Sequence, residues 1–326
     1  MTRIYLADAA IRPAQQEAIR HQLPMGWTLD EIPDDAAAIL TENAAVTLEM
    51  LVAAGTSLRL IFRLDTGNAT VAPETAVPVV DLPNTALVGV AEHTVMLIMA
   101  LSRHLLRVAR RTSVQEWLPD RRVPILTDQT RYTYNWIGLE DFGTLYRKTV
   151  GIVGMGKIGR AVAARLRPFG MRLRYTQRHR LDPADEARFG VEWRDLDDML
   201  RESDVVTLHH RFQEGPSGND RQFGAREFAL MKPTVIFVNT ARGRMVDEDA
   251  LVTALHSGQI AGAGLDVFRY EPLPADHPLL ALALAGDKVI LTAHVAGAPS
   301  DEAWQVIATE LIERLHAALH DGEYER

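Results

Sequence analysis

Short apolar runs that do not alternate with polar residues are the strongest constraint on this chain. They fall at 3–6, 37–40, 58–62, 77–80, 149–153, 172–175, 205–208, 235–238, 263–266 and 289–291. Most are four to six residues rich in Val, Ile, Leu and Tyr. A strand with one wet face alternates, whereas a strand buried on both faces reads as a continuous apolar run. Helical patterns lie between the runs, at 13–22, 45–54, 158–168 and 247–257. This alternation of strand and helix predicts a doubly wound α/β architecture with parallel sheets. At 326 residues the chain has room for two such domains, each with its own core.

Three segments interrupt the rhythm. Residues 90–111 read as one long helix, apolar in its first half, which points to burial in a core or an interface. Residues 112–147 follow with little periodicity and several Trp, Tyr and Pro, as a crossover. The segment 299–319 reads as an amphipathic helix.

Composition narrows the function classes. The net charge of −8 argues against non-specific nucleic-acid binding, which needs cations to neutralise phosphates. With no cysteine, disulfides, thiolate nucleophiles and Cys-based metal sites are excluded. The histidines lack metal-ligand spacing, so no metal is expected. No apolar run reaches the roughly 18–20 residues of a membrane span. Asp8 sits where a signal peptide needs its apolar stretch, so a cytoplasmic enzyme with no membrane partner is expected. The cationic residues are 31 arginines and four lysines, a bias that raises the question of local anion sites.

Thr149 to Gly159 read TVGIVGMGKIG, a G-x-G-x-x-G between an apolar strand and a helix. Gly154 permits the tight turn, Gly156 lets backbone approach a pyrophosphate, and Gly159 allows close helix packing. Gly154, Met155, Gly156, Lys157, Ile158 and Gly159 are therefore the candidate dinucleotide loop. An NAD site calls for an acid about 20 residues on, to bond the ribose 2′-hydroxyl. Here Gln177 stands at that place, Arg178 follows, and the first acid is Asp182. A missing carboxylate and an added guanidinium favour a 2′-phosphate, so NADP is the expected cofactor, with NAD possible. Arg178 leads this reading, with Arg180 or His179 assisting.

Three later strands end in reactive side chains. VIFVNTARG places Arg242 just past a strand, where a guanidinium can grip a carboxylate at two points. GAGLDVFRYEPLP places Asp266 at a strand end with Glu271 five residues on. VILTAHVAG places His294 past the next strand.

Together with VAEH at 90–93 and SDVVTLH at 203–209, these motifs in this order resemble the D-isomer-specific 2-hydroxyacid dehydrogenases along nearly the whole chain. The resemblance is closest in kind to glyoxylate/hydroxypyruvate reductases. It implies two Rossmann-like or flavodoxin-like domains: a substrate domain of residues 1–95 and 296–326, with a dinucleotide-binding domain, 96–295, inserted in it. It implies His294 as acid/base, Glu271 as its partner and Arg242 as the clamp on the substrate carboxylate. It assigns Thr240, Asp266 and Gly297 to the cofactor, although Asp266 read alone could equally cap local backbone. It gives the substrate carboxylate the backbone amides of Thr66 and Gly67. It also implies a homodimer built on 90–111 and the crossover.

The expected reaction is hydride reduction of a small 2-oxoacid to the D-2-hydroxyacid. The alternatives are a dehydrogenase of a bulkier or sugar-derived 2-hydroxyacid, and a catalytically idle NAD(P)-sensing protein. Glu271 argues against the formate-oxidising branch, where Gln is expected. Ala293 replaces the usual Pro, His210-Arg211 replaces a common Leu-Pro pair, and 68–78 is short for the family. These departures leave the catalytic set intact and put the substrate's identity in doubt.

Overall fold

The computed structural model describes every residue except 1, 8–10, 12, 42–43, 65–69, 82–86, 114–123, 287, 299–300, 321–326 and the side chains of 301–303. The chain divides into two compact units, one of Met1–Ala86 with Pro299–Arg326, the other of Leu87–Ala298. The division between these units falls at 86/87 and 298/299. The start of the third helix, including Ala91, packs into a core of the second unit.

In the first unit, β1 (Thr2–Leu6), β2 (Trp27–Asp30), β3 (Ala38–Thr41), β4 (Leu60–Arg63) and β5 (Val79–Asp81) form a parallel sheet. Its order is β2-β1-β3-β4-β5, the flavodoxin-like arrangement. Successive side chains point to opposite faces, and both faces are covered. Ile4, Leu40, Leu60 and Phe62 pack with Ile19 of α1 (Pro13–Gln22) and with Ile307, Leu311 and Leu315 of α11 (Asp301–His320). Tyr5, Ile39 and Ile61 face Val46, Leu58 and α2 (Leu48–Ala54) on the other side.

The second unit begins with α3 (Val88–Ser102) and α4 (Leu105–Ser113). The doubly wound part comprises β6 (Thr149–Val153), α5 (Lys157–Leu166), β7 (Arg172–Thr176), α6 (Pro183–Phe189), β8 (Val191–Trp193), α7 (Leu196–Glu202) and β9 (Val205–Leu208). It continues through α8 (Ala225–Leu230), β10 (Ile236–Asn239), α9 (Glu248–His256), β11 (Gly262–Leu265), α10 (Pro278–Ala285) and β12 (Val289–Leu291). All seven strands are parallel in the order β12-β11-β10-β9-β6-β7-β8, so the winding reverses between β6 and β9. Both faces are again filled, one by Phe228, Phe237 and Leu251, the other by Val150, Ile152 and Leu166.

Two strands escape the sequence reading, β2 and β8, and both lie at sheet edges. An edge strand needs no long apolar run, and WTLD and VEW have none. The expected single helix at 90–111 is two helices. His104 takes a left-handed backbone (φ 49°), and its ring Nε2 meets the Asp141 carbonyl at 3.1 Å. The returning crossover binds at the same place, where Gly143 N donates to Ser102 O at 2.9 Å.

Candidate dinucleotide and catalytic site

The glycine loop sits at the carboxyl end of β6, where the winding reverses. Ligands of open α/β sheets bind at that crevice. Gly154 has φ 96°, and a Cβ there would lie 2.6 Å from His210 N, so no side chain fits. At Gly159 a Cβ would meet the Gly154 carbonyl at 2.1 Å, which lets α5 close onto the loop. Gly156 caps α5, and a Cβ on it would meet nothing within 4 Å. That open space lies over a helix N-terminus with its unsatisfied N–H groups, and a pyrophosphate fits both the space and the charge. Lys157 and Ile158 form the first turn of α5.

Beyond β7 the structure sorts the predicted phosphate contacts. Gln177 Oε1 accepts from Met155 N at 2.9 Å, and its Nε2 donates to the His179 carbonyl at 2.6 Å. The amide thus ties the glycine loop to the turn after β7 and occupies the place of the ribose-binding acid. Arg178 Nη2 donates to Gln213 Oε1 at 2.9 Å. Arg180 is held by Glu186 of α6 in a two-point ion pair, both contacts 2.8 Å. Glu186 also accepts from the Tyr175 hydroxyl at 2.8 Å. Burial and that bond push the Tyr175 phenol up to about 12. Arg180 therefore works as a staple between β7 and α6, not as an open cation, because α6 supplies a carboxylate within reach.

The catalytic candidates leave the sheet side by side. Asn239 pairs in register with Leu265, and Leu265 with Leu291, so β10, β11 and β12 end level. Adjacent strands are about 4.8 Å apart, so the loops carrying Arg242 and His294 depart roughly 10 Å from each other. Asn239 shapes the first loop. Its Oδ1 accepts from Ala241 N (3.0 Å) and its Nδ2 donates to Arg242 O (2.9 Å). Arg242 is half-buried, with Nη1 donating to Ala241 O at 2.6 Å. At Gly243 a Cβ would lie 1.9 Å from the Phe268 carbonyl carbon, so the loops after β10 and β11 touch backbone to backbone.

That second loop carries Glu271. Its Oε1 accepts from Phe268 N (2.9 Å) and its Oε2 meets His294 Nδ1 at 2.7 Å. A carboxylate only accepts, so the Nδ1 proton belongs to the imidazole and Nε2 is left for a reacting partner. The His294 side chain is 47% exposed and its backbone is left-handed, φ 53°.

Asp266 restrains that backbone. Its carbonyl accepts from His294 N (2.8 Å), and its fully buried carboxylate accepts from Thr292 Oγ1 (2.6 Å), Val295 N (3.0 Å) and Ala296 N (2.9 Å). Thr292 Oγ1 is in turn 2.9 Å from His93 Nε2 on α3. Asp266 thus caps local backbone. Thr240 is buried, 2.9 Å from Thr94 Oγ1, whose hydroxyl donates to Val90 O. Gly297 is exposed, and a Cβ there would touch only Val90, at 3.6 Å. Thr66 and Gly67 lie outside the described residues.

Sequence reading missed the supports: Asn239, His93, Thr292 and Glu248. Glu248 is buried at the start of α9 and holds the Glu271 loop, accepting from Arg269 N at 2.8 Å with His277 Nε2 at 3.2 Å. Only Asn239, a turn-forming residue at a strand end, carried a local signal. His209 is buried, and burial followed by the neighbouring His210 pushes its imidazole down to about 3, so it stays neutral. Among the described residues no cluster of three or more His, Asp or Glu suits a metal ion, and no helix is long and apolar enough to cross a membrane.

A seven-stranded doubly wound sheet with a glycine loop at its reversal defines a Rossmann-type dinucleotide-binding protein. The chain belongs to the D-isomer specific 2-hydroxyacid dehydrogenases, with residues 95–296 matching the NAD binding domain of that family. Glyoxylate/hydroxypyruvate reductase B of Escherichia fergusonii is 39% identical over 232 residues, covering 71% of this chain and 64% of that protein. This chain thus spans less than two thirds of the length of the curated relatives it matches. The PH0520 protein of Pyrococcus horikoshii OT3 has the same fold, with TM-score 0.75 and 26% identity over 100% of this chain and 94% of that one. A glyoxylate reductase of Paecilomyes thermophila aligns with TM-score 0.71 and 26% identity over 99% of this chain and 97% of its own.

Proposed function

We propose that the protein reduces a small 2-oxoacid, of the glyoxylate or hydroxypyruvate type, to the D-2-hydroxyacid and prefers NADPH. The carrying observation is the 2.7 Å contact of His294 Nδ1 with Glu271, on loops beside the one bearing Arg242. A nicotinamide, when bound, supplies the hydride that attacks the carbonyl carbon. Arg242 offers planar paired donors to the substrate carboxylate. His294, charged and held through Nδ1 by Glu271, gives its Nε2 proton to the carbonyl oxygen as negative charge builds there. Asp266 and Gly243 keep the loops in register, so neither group is free to drift from the reacting atoms.

Support for NADPH comes from the turn after β7. The acid of an NAD site is replaced by Gln177, which is already engaged with Met155 N. Arg178 is exposed, and its bond among the described residues is to a neutral amide. The phosphate contact narrows to Arg178, because Arg180 is spent on Glu186.

A homodimer is proposed on α3, α4 and the crossover. There Met96, Met99, Leu105, Leu106, Leu126 and Tyr134 are exposed. An apolar patch of that kind on a folded unit fits a self-complementary contact.

The test is reduced-nicotinamide consumption across a panel of 2-oxoacids, with NADPH and with NADH. Turnover of glyoxylate or hydroxypyruvate, faster with NADPH, is expected. Cofactor binding without turnover of any 2-oxoacid refutes the enzymatic reading, and a preference for NADH refutes the cofactor reading.

A further inference from the structure

The segment that follows β9 departs from the family pattern at His210-Arg211 and makes a long excursion before α8. It is built, not loose. Asn219 closes it. Its Oδ1 accepts from Gln213 N at 2.7 Å, its N donates to Gln213 O at 3.1 Å, and its Nδ2 donates to Arg211 O at 2.9 Å. Phe212 lies under the Arg244 guanidinium, 4.6 Å from Cζ to the ring centroid. Glu214, the next residue after Gln213, is ion-paired with the same Arg244. Gln213 therefore has its backbone clamped on both sides, and the nearest acid in sequence is neutralised. Its side chain reaches Arg178, two residues past β7, at 2.9 Å.

We propose that Gln213 is a specificity-determining residue for the adenosine end of the cofactor. It holds the Arg178 guanidinium in place for a phosphomonoester on the ribose. The inference rests on the NADPH reading above.

Three features support it. Arginine has five N–H donors and Gln213 engages one nitrogen, so the fork keeps donors for a phosphate. An exposed arginine loses rotamer freedom when it binds, and a partner already in place removes part of that loss. The partner is neutral: a carboxylate in its place would neutralise the guanidinium and repel a dianion. Gln213 and Gln177 thus act alike, each an amide where an acid would oppose a phosphate.

The experiment is calorimetric titration of the full-length protein with 2′,5′-ADP and with ADP. These fragments differ only in where the second phosphate sits, and they require no turnover. The variants are Gln213→Glu, Gln213→Ala and, as reference, Arg178→Gln. Wild type is expected to favour 2′,5′-ADP, and Arg178→Gln to lose that preference. Gln213→Glu should weaken 2′,5′-ADP at least about tenfold, and Gln213→Ala about threefold to tenfold, both leaving ADP within about twofold. Retained ADP binding certifies the fold of each variant.

If wild type discriminates and Arg178→Gln abolishes it, yet Gln213→Glu binds 2′,5′-ADP as wild type does, the role of Gln213 is refuted alone. If wild type does not discriminate, the NADPH reading falls and this inference falls with it. Equal weakening of ADP and 2′,5′-ADP in the Gln213 variants also overturns it, since that marks general damage to the site.

Discussion

Acidification is expected to destabilise the second unit through His209. This imidazole is buried beside the dinucleotide loop, and burial, then His210, lowers it from the ordinary 6.5 to about 3. Below 6.5 the unfolded chain takes up a proton that the folded chain refuses. The stabilising contribution is therefore complete above 6.5 and is lost as pH falls from 6.5 toward about 3. Integrating one such proton gives a loss of about 1.4 kcal/mol between pH about 7.5 and pH about 5.5.

The variant that isolates it is His209→Gln, whose amide can keep the contact that His209 Nε2 makes with Thr207 Oγ1 at 2.9 Å. It also removes the buried Nδ1, which has no hydrogen-bond partner among the described residues. Urea unfolding of both proteins at the two pH values measures the difference. His210, also lowered by burial, keeps its own share in each. The stability lost on acidification should shrink in the variant by about 1 kcal/mol or more. Identical losses in the two proteins would falsify the buried neutral imidazole.

Three further outcomes follow from the catalytic edge. Gly243→Ala forces a Cβ into the Phe268 carbonyl carbon at 1.9 Å, so kcat/KM should fall about a hundredfold while ADP still binds. Unimpaired turnover would show that the two loops are free to separate. Asp266→Asn replaces an acceptor with a donor opposite buried N–H groups. It should cost about 1–3 kcal/mol in unfolding free energy, and a neutral result would refute the cap. His294→Gln should abolish 2-oxoacid reduction without weakening ADP, and measurable residual proton-dependent turnover would move the acid elsewhere.

The interior strands were legible because two-sided burial writes itself as uninterrupted apolar sequence. Thr149–Val153 and Val205–Leu208 match residue for residue, and so does the apolar edge strand Val289–Leu291. The edges β2 and β8 were not, since one-sided pairing imposes no such pattern. The candidate catalytic side chains were visible because each stands just past an apolar strand, where the sheet itself aligns them. Their supports were hidden. His93 reaches Thr292 across 199 residues, and Glu248 reaches Arg269 across 21, so neither contact carries a local sequence signal. The break at His104 was equally invisible, because its partners in the crossover lie far along the chain.

The first unit is assembled from two stretches separated by the whole of the second unit, and translation makes that a matter of timing. Residues 2–81 emerge with their sheet complete except for one cover, α11, which is synthesised only after all of 87–298. Until then Ile4, Leu40, Leu60 and Phe62 lack the Ile307, Leu311 and Leu315 that shield them. The inserted unit owns every strand and helix of its own sheet and is free to fold first. The nascent chain therefore carries a finished dinucleotide domain beside a sheet whose one face is covered by α1 alone, and transiently exposed apolar surface of that kind invites aggregation.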